Sequence, residues 1–126
     1  MKSKILLALR IIIALILIQT LRFKFTAHPD SVYIFKQAGM EPIGRIGIGV
    51  LELIASILLL TPETVWAGAA LAMGVLAGAV FMHLSTLGIS VNGDGGILFT
   101  TALITFILSS ITLYFYRKDI PFLNLK

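Results

Sequence analysis

The chain has 126 residues, 58% of them hydrophobic and 13% charged, with a mean hydropathy of +1.01. No soluble domain carries that much apolar surface, so lipid has to be the solvent for most side chains. The formal charge of +4 comes from scattered Lys and Arg, not from a basic stripe interleaved with aromatics, which argues against a nucleic-acid surface; the lack of cysteine excludes disulfides, thiol redox chemistry and thiolate metal sites.

The first apolar run, from about Ile5 to Phe23, follows Lys2 and Lys4 as the core of a secretory signal would. It is too long for one, and it ends in Arg22-Phe23-Lys24-Phe25 with no small-x-small cleavage motif, so it reads as a retained helix. Arg10 lies about 7.5 Å inside the start of this span, within snorkelling reach of the near interface, and Gln19 is the other interior polar residue.

From Lys24 to Pro42 the composition is mixed. Pro29-Asp30-Ser31 reads as a turn into a short amphipathic helix over Ser31 to Ala38, able to lie at the interface through Val32, Ile34 and Phe35 and to cap the bundle. Gly39 closes it and Pro42 opens the second span, Ile43 to Leu60. Thr61-Pro62-Glu63-Thr64 turns the chain straight back, which makes the third span, Val65 to Leu87, an antiparallel neighbour. Small residues crowd that span, and Gly74 and Gly78 form a GxxxG, the pattern of a helix that touches several partners closely.

The glycine-rich turn Gly88 to Gly96 leads to the fourth span, Ile97 to Tyr116. Its Asn92-Gly93-Asp94-Gly95-Gly96 has neither the Lys of a phosphate loop nor the spaced acids of a calcium loop. Thr101, Thr105, Ser109 and Thr112 share one face, placed either for bonds across to another helix or for bonds back to their own i−4 carbonyls. Trp66, Tyr114 and Tyr116 fall at one membrane level, as an aromatic belt does.

The expected fold is therefore an all-α membrane protein: a single domain over 1–126, forming a four-helix transmembrane bundle with an amphipathic loop helix between the first two spans. Both termini then lie on one side with Lys2, Lys4, Arg117, Lys118 and Lys126, against Arg22, Lys24, Lys36 and Arg45 on the other. That small bias favours cytoplasmic termini.

Glu52 stands out chemically. It sits about 13 Å from the ends of the second span, where a carboxylate facing lipid costs several kcal/mol. Arg45, Gly49 and Ser56 lie at i−7, i−3 and i+4 from it, one polar or small stripe on an Ile- and Leu-rich helix, so this stripe is expected to face the interior. Antiparallel packing brings His83 of the third span to the same half of the membrane, with Asp94 and Lys24 in the loops just above. The expected site is a polar pocket with Glu52 at its floor and His83, Arg45 and Lys24 on its walls, serving a ligand or a proton relay. The competing readings are a hydrogen-bonded network that only fixes helix register, and simple snorkelling of Arg45.

Four segments, LQTLRFKF, GRIGIGVLELIASILLLTP, AGAVFMHL and NGDGG, together resemble the DoxX-like family of small four-helix bacterial membrane proteins over nearly the whole chain. The resemblance implies that Lys24, Glu52 and His83 occupy the family's recurring polar positions. It also implies a bacterial cytoplasmic membrane protein, related to subunits of a thiosulfate:quinone oxidoreductase and to proteins of redox or thiol stress. The resemblance makes a quinone-like ligand the cofactor to consider; the residues themselves hold no metal, haem or flavin signature, so a partner subunit would have to supply electrons. Two other functions remain open: a small-solute transporter or permease, formed as a homo-oligomer, and an assembly scaffold without chemistry of its own.

Overall fold

The computed structural model describes residues 2–26, 28–90 and 93–120, and of Lys2, Ser3, Phe23 and Thr86 the backbone alone. Asn92 and Lys126, which figured in the glycine-rich turn and the charge count, lie outside the described residues, as does the Lys2 side chain. The elements are α1 (Lys2–Phe25), α2 (Pro29–Gln37), α3 (Ile43–Leu60), α4 (Val65–Met82) and α5 (Ile97–Phe115). Short 3₁₀ turns occupy Pro62–Thr64 and Arg117–Asp119, and a π-helical turn, His83–Leu87, prolongs α4. Four helices, α1, α3, α4 with its flanking turns, and α5, are long and apolar enough to cross a membrane.

The pattern of exposure is the reverse of a soluble protein's. Ile5, Leu15, Ile57, Phe81 and Ile97 are exposed on the outside, while Ser56, Thr105, Ser109 and Thr112 are buried. Such a surface suits acyl chains, and hydroxyls are kept where protein can satisfy them. Thr105 and Thr112 donate to the carbonyls of Thr101 and Leu108, 2.7 and 2.9 Å away, so these two hydroxyls bond back along their own helix. Ser109 Oγ, fully buried, has no partner among the described residues.

α1 packs along α3, α3 along α4 and α4 along α5, whereas α1 and α5 meet over a shorter stretch. The dry core, with Ile13, Leu17, Leu59, Val65, Ala69 and Ala72, fills the half of the bundle nearest the start of α1 and the end of α3. Gly68 permits this. A Cβ there would stand 2.7 Å from the Leu59 amide nitrogen and 2.8 Å from the Ala55 carbonyl oxygen, so α3 and α4 touch backbone to backbone. The close approach expected at Gly74 and Gly78 is not found, because a Cβ at either would meet nothing within 4 Å. The expectation is corrected: the small residue that matters lies two turns earlier, at the level of the short α3–α4 connection, where the helices are held together.

The same end shows how side chains finish a helix terminus. The last carbonyls of α3 have no intrahelical donor. Side chains supply three: Thr61 Oγ1 donates to Ile57 O at 2.9 Å, Thr64 Oγ1 to Leu58 O at 3.0 Å, and Arg10 Nε to Leu59 O at 2.7 Å. Arg10 is thus turned into the bundle, 7% exposed and 6.0 Å from the centre of the Tyr116 ring, and does not snorkel outward. The positive guanidinium also sits at the negative end of the α3 dipole. Tyr116, assigned to the aromatic belt from sequence, is partly buried against it. Arg10→Ala is expected to destabilise the protein by about 1–3 kcal/mol by orphaning a buried carbonyl. Unfolding titrations in detergent check this, and an unchanged midpoint would mean that Leu59 O finds another donor.

The connections are built by local capping. His28 Nδ1 accepts from the Asp30 amide at 3.1 Å, and Pro29 begins α2, where the missing N–H is harmless. At its other end Gly39, with φ 72°, allows Met40 N to reach Phe35 O at 2.8 Å and Gly39 N to reach Lys36 O at 3.1 Å. These are the paired bonds of a Schellman ending. Before α5, Asp94 accepts from Gly96 N at 2.7 Å and Leu98 N at 3.1 Å, one through each carboxylate oxygen. The described part of the glycine-rich turn is therefore a helix cap.

Candidate functional site

The other half of the bundle is hollow. A cavity of about 540 Å³ lies between α1, α3, α4 and α5, with α2 along one side. Most of its lining is aliphatic or Met, including Ile16, Ile34, Ile48, Val75, Leu76 and Met82. Polar groups reach it from each spanning helix: Gln19, Thr20 and Lys24 from α1, Glu52 from α3, His83 from the end of α4, Thr101 and Thr105 from α5. The size and the balance of apolar wall to few polar groups are those of a small-molecule site.

Glu52 faces inward, 4% exposed, on the stripe with Arg45, Gly49 and Ser56, all of them buried. Its Oε1 lies 2.9 Å from Lys24 Nζ, a side chain 16% exposed. The approach is ionic and is not aligned as a hydrogen bond. Thr20, one turn before Lys24 on α1, also faces the carboxyl. A Cβ at Gly49 would lie 2.8 Å from the edge of the Phe25 ring, so α3 passes close under the end of α1, and the exposed Phe25 side chain would have to turn aside for any larger residue.

Arg45 is not on the cavity wall, and that expectation is corrected. It lies two turns before Glu52 on α3, about 10 Å along the axis, beside the end of α1 where carbonyls need donors. Its Nη1 donates to the Lys24 carbonyl, and its Nε donates to Glu41, 2.9 Å from Oε1 and 3.0 Å from Oε2. Arg45 thereby holds the backbone that carries Lys24 while remaining 6% exposed, so snorkelling does not describe it either.

His83 is the first residue of the π-helical turn and is 4% exposed. Its Nδ1 lies 3.0 Å from Gly88 O, and its ring meets Phe99 edge to face with centroids 5.6 Å apart. The wide turn and Gly88, at φ 80°, bring that carbonyl back over the ring. Of the four residues expected at the site, the structure brings Lys24 and Glu52 into contact, places His83 on the same cavity and sets Arg45 outside it. No family model, curated protein or solved structure matches the chain.

Sequence reasoning passed over Thr20 and Glu41. Thr20 is at i−4 from Lys24 on α1, the separation at which helical side chains share a face, whereas Glu41 lies in the turn before α3, four residues from Arg45. Among the described residues no three of His, Asp and Glu converge as metal ligands would. The polar groups of the cavity are suited instead to hydrogen bonding with, or exchanging protons with, an otherwise apolar guest.

Proposed function

We propose that the chain is a DoxX-like integral membrane protein of the bacterial cytoplasmic membrane, with cytoplasmic termini, whose cavity binds a quinone-like or other small apolar ligand. In this reading it serves as the membrane subunit of an oxidoreductase, and a partner subunit carries the redox centre. α2 lies along the membrane interface over the hollow half. The observation that carries the reading is the cavity itself: apolar walls on four spanning helices, lined also by the Lys24–Glu52 pair and by His83. A ring with a lipid-soluble tail fits such a space, the ring taking the hydrogen bonds and the tail the aliphatic wall. The family assignment rests on the four sequence segments and on the positions of Lys24, Glu52 and His83.

A permease would need a path to the other face of the membrane. The packed core around Ile13, Leu17 and Leu59 occupies that route, which favours a binding role.

Purified protein in nanodiscs is expected to bind a short-chain ubiquinone analogue, and Glu52→Gln to weaken that binding at least about tenfold, equivalent to about 1.4 kcal/mol. Glutamine keeps the shape of the side chain while removing the charge that Lys24 faces. Wild-type protein that binds the analogue in neither its oxidised nor its reduced form, or a variant that binds it equally well, would end the proposal and leave the scaffold reading.

A further inference from the structure

The hydrogen-bond partner of His83 determines what its other nitrogen can offer. A carbonyl oxygen only accepts, so the contact with Gly88 O requires that Nδ1 carry the hydrogen. In the neutral imidazole Nε2 is then a lone pair. The arrangement is locked by the backbone: Gly88 O is delivered by the π-helical turn and a positive-φ glycine, and Phe99 stands against the ring edge. Nε2 has no hydrogen-bond partner among the described residues, and the ring lines the cavity. The Glu52 carboxylate on the same cavity is also an acceptor, and the Lys24 ammonium is paired with it at 2.9 Å.

We infer that the cavity selects a ligand that donates a hydroxyl hydrogen, a quinol or comparable phenol in the lipid phase, over the carbonyl form of the same ring, with His83 Nε2 as the acceptor. This rests on the reading that the cavity holds a quinone-like molecule, and adds which redox form it holds. A quinol hydroxyl pointing at Nε2 pairs a donor with a lone pair. A quinone carbonyl there sets two acceptors face to face and leaves a desolvated nitrogen unpaired. Sites built around a hydrogen bond to a hydroxyl reject analogues that lack the hydrogen far better than apolar sites reject analogues of different size. A product-like quinol held in this way would be the form on which protons exchange with the protein, since His83 Nε2 and the Glu52 carboxylate are both bases.

The test compares a short-chain ubiquinol with its ubiquinone, bound to the full chain in nanodiscs under anaerobic conditions. Wild type is expected to bind the quinol at least about tenfold more tightly. His83→Gln, whose amide can turn either its oxygen or its NH₂ to the ligand, is expected to bring the ratio close to one. Equal or tighter binding of the quinone by wild type, or a ratio unchanged in His83→Gln, overturns the inference while leaving a quinone site intact. If wild type binds neither form, the cavity reading falls with it. A second measurement leaves His83 itself in place: ¹⁵N imidazole shifts, with the His28 resonances assigned through His28→Gln, should show the Nδ1–H tautomer, with Nε2 shifting on addition of quinol. An Nε2–H tautomer, or a ring unmoved by bound quinol, overturns it as well.

Discussion

Gly68→Val is expected to prevent the bundle from assembling, and Gly68→Ala to lower its stability by about 1–3 kcal/mol, the usual effect of overpacking. In an exposed helix interior the alanine would gain about 1 kcal/mol from helix propensity. Here the added Cβ meets the Leu59 nitrogen at 2.7 Å and the Ala55 oxygen at 2.8 Å, both backbone atoms that cannot rotate aside. Only separation of α3 from α4 relieves the clash, and separation removes Val65, Ala69 and Ala72 from their contacts in the core. Gly74→Ala and Gly78→Ala are the internal controls, since neither Cβ meets anything within 4 Å. Both should melt at or above wild type in detergent. A Gly68→Ala protein that melts with them would show that the two helices do not approach in this way.

Lys24→Ala is expected to be the most damaging change at the cavity, at about 3–5 kcal/mol, because it strands the buried Glu52 carboxyl without its counter-charge. Glu52→Ala should cost less. Lys24 is the more exposed partner, at 16% against 4%, and its long stem can carry the ammonium out to the interface once the acid is gone. The double variant should then be less damaged than the two single changes predict. Steric-trap unfolding of all four proteins measures the coupling, and a value under about 0.5 kcal/mol, which is additivity, would mean that the two side chains do not form a pair.

Much of this architecture was legible in the residues. The α3 bounds, Ile43–Leu60, were readable because Pro42 and Thr61-Pro62 bracket an uninterrupted apolar run. The inward stripe on α3 was readable because an acid between Leu51 and Leu53 admits one low-energy orientation in lipid. Helical spacing also carried His83 to the hollow half, although periodicity along α4 cannot distinguish a regular helix from the π-helical turn that orients the ring. Arg10 and Arg45 were misread for a common reason. Each donates to a carbonyl on a different helix, an acceptor that any residue provides and that no local spacing marks; only the second partner of Arg45, Glu41, lies at a local separation. GxxxG misled for a related reason, because close approach depends on which face the connection turns toward the neighbour, and the Thr61–Thr64 link turns Gly68 there.

The bond from Arg10 to Leu59 also bears on how the chain is made. Arg10 is synthesised 49 residues ahead of its acceptor, so α1 is made before the carbonyl it will bond. During that interval a guanidinium on an isolated helix has only headgroups and water to turn to, and an Arg placed centrally in such a helix disfavours insertion by about 2.5–3.5 kcal/mol. Its position in the first half of α1 keeps the headgroups within reach. Snorkelling thus belongs to the nascent chain, and the finished protein exchanges a lipid phosphate or water for the Leu59 carbonyl when the α3–α4 hairpin docks, linking membrane insertion of the first helix to assembly of the rest.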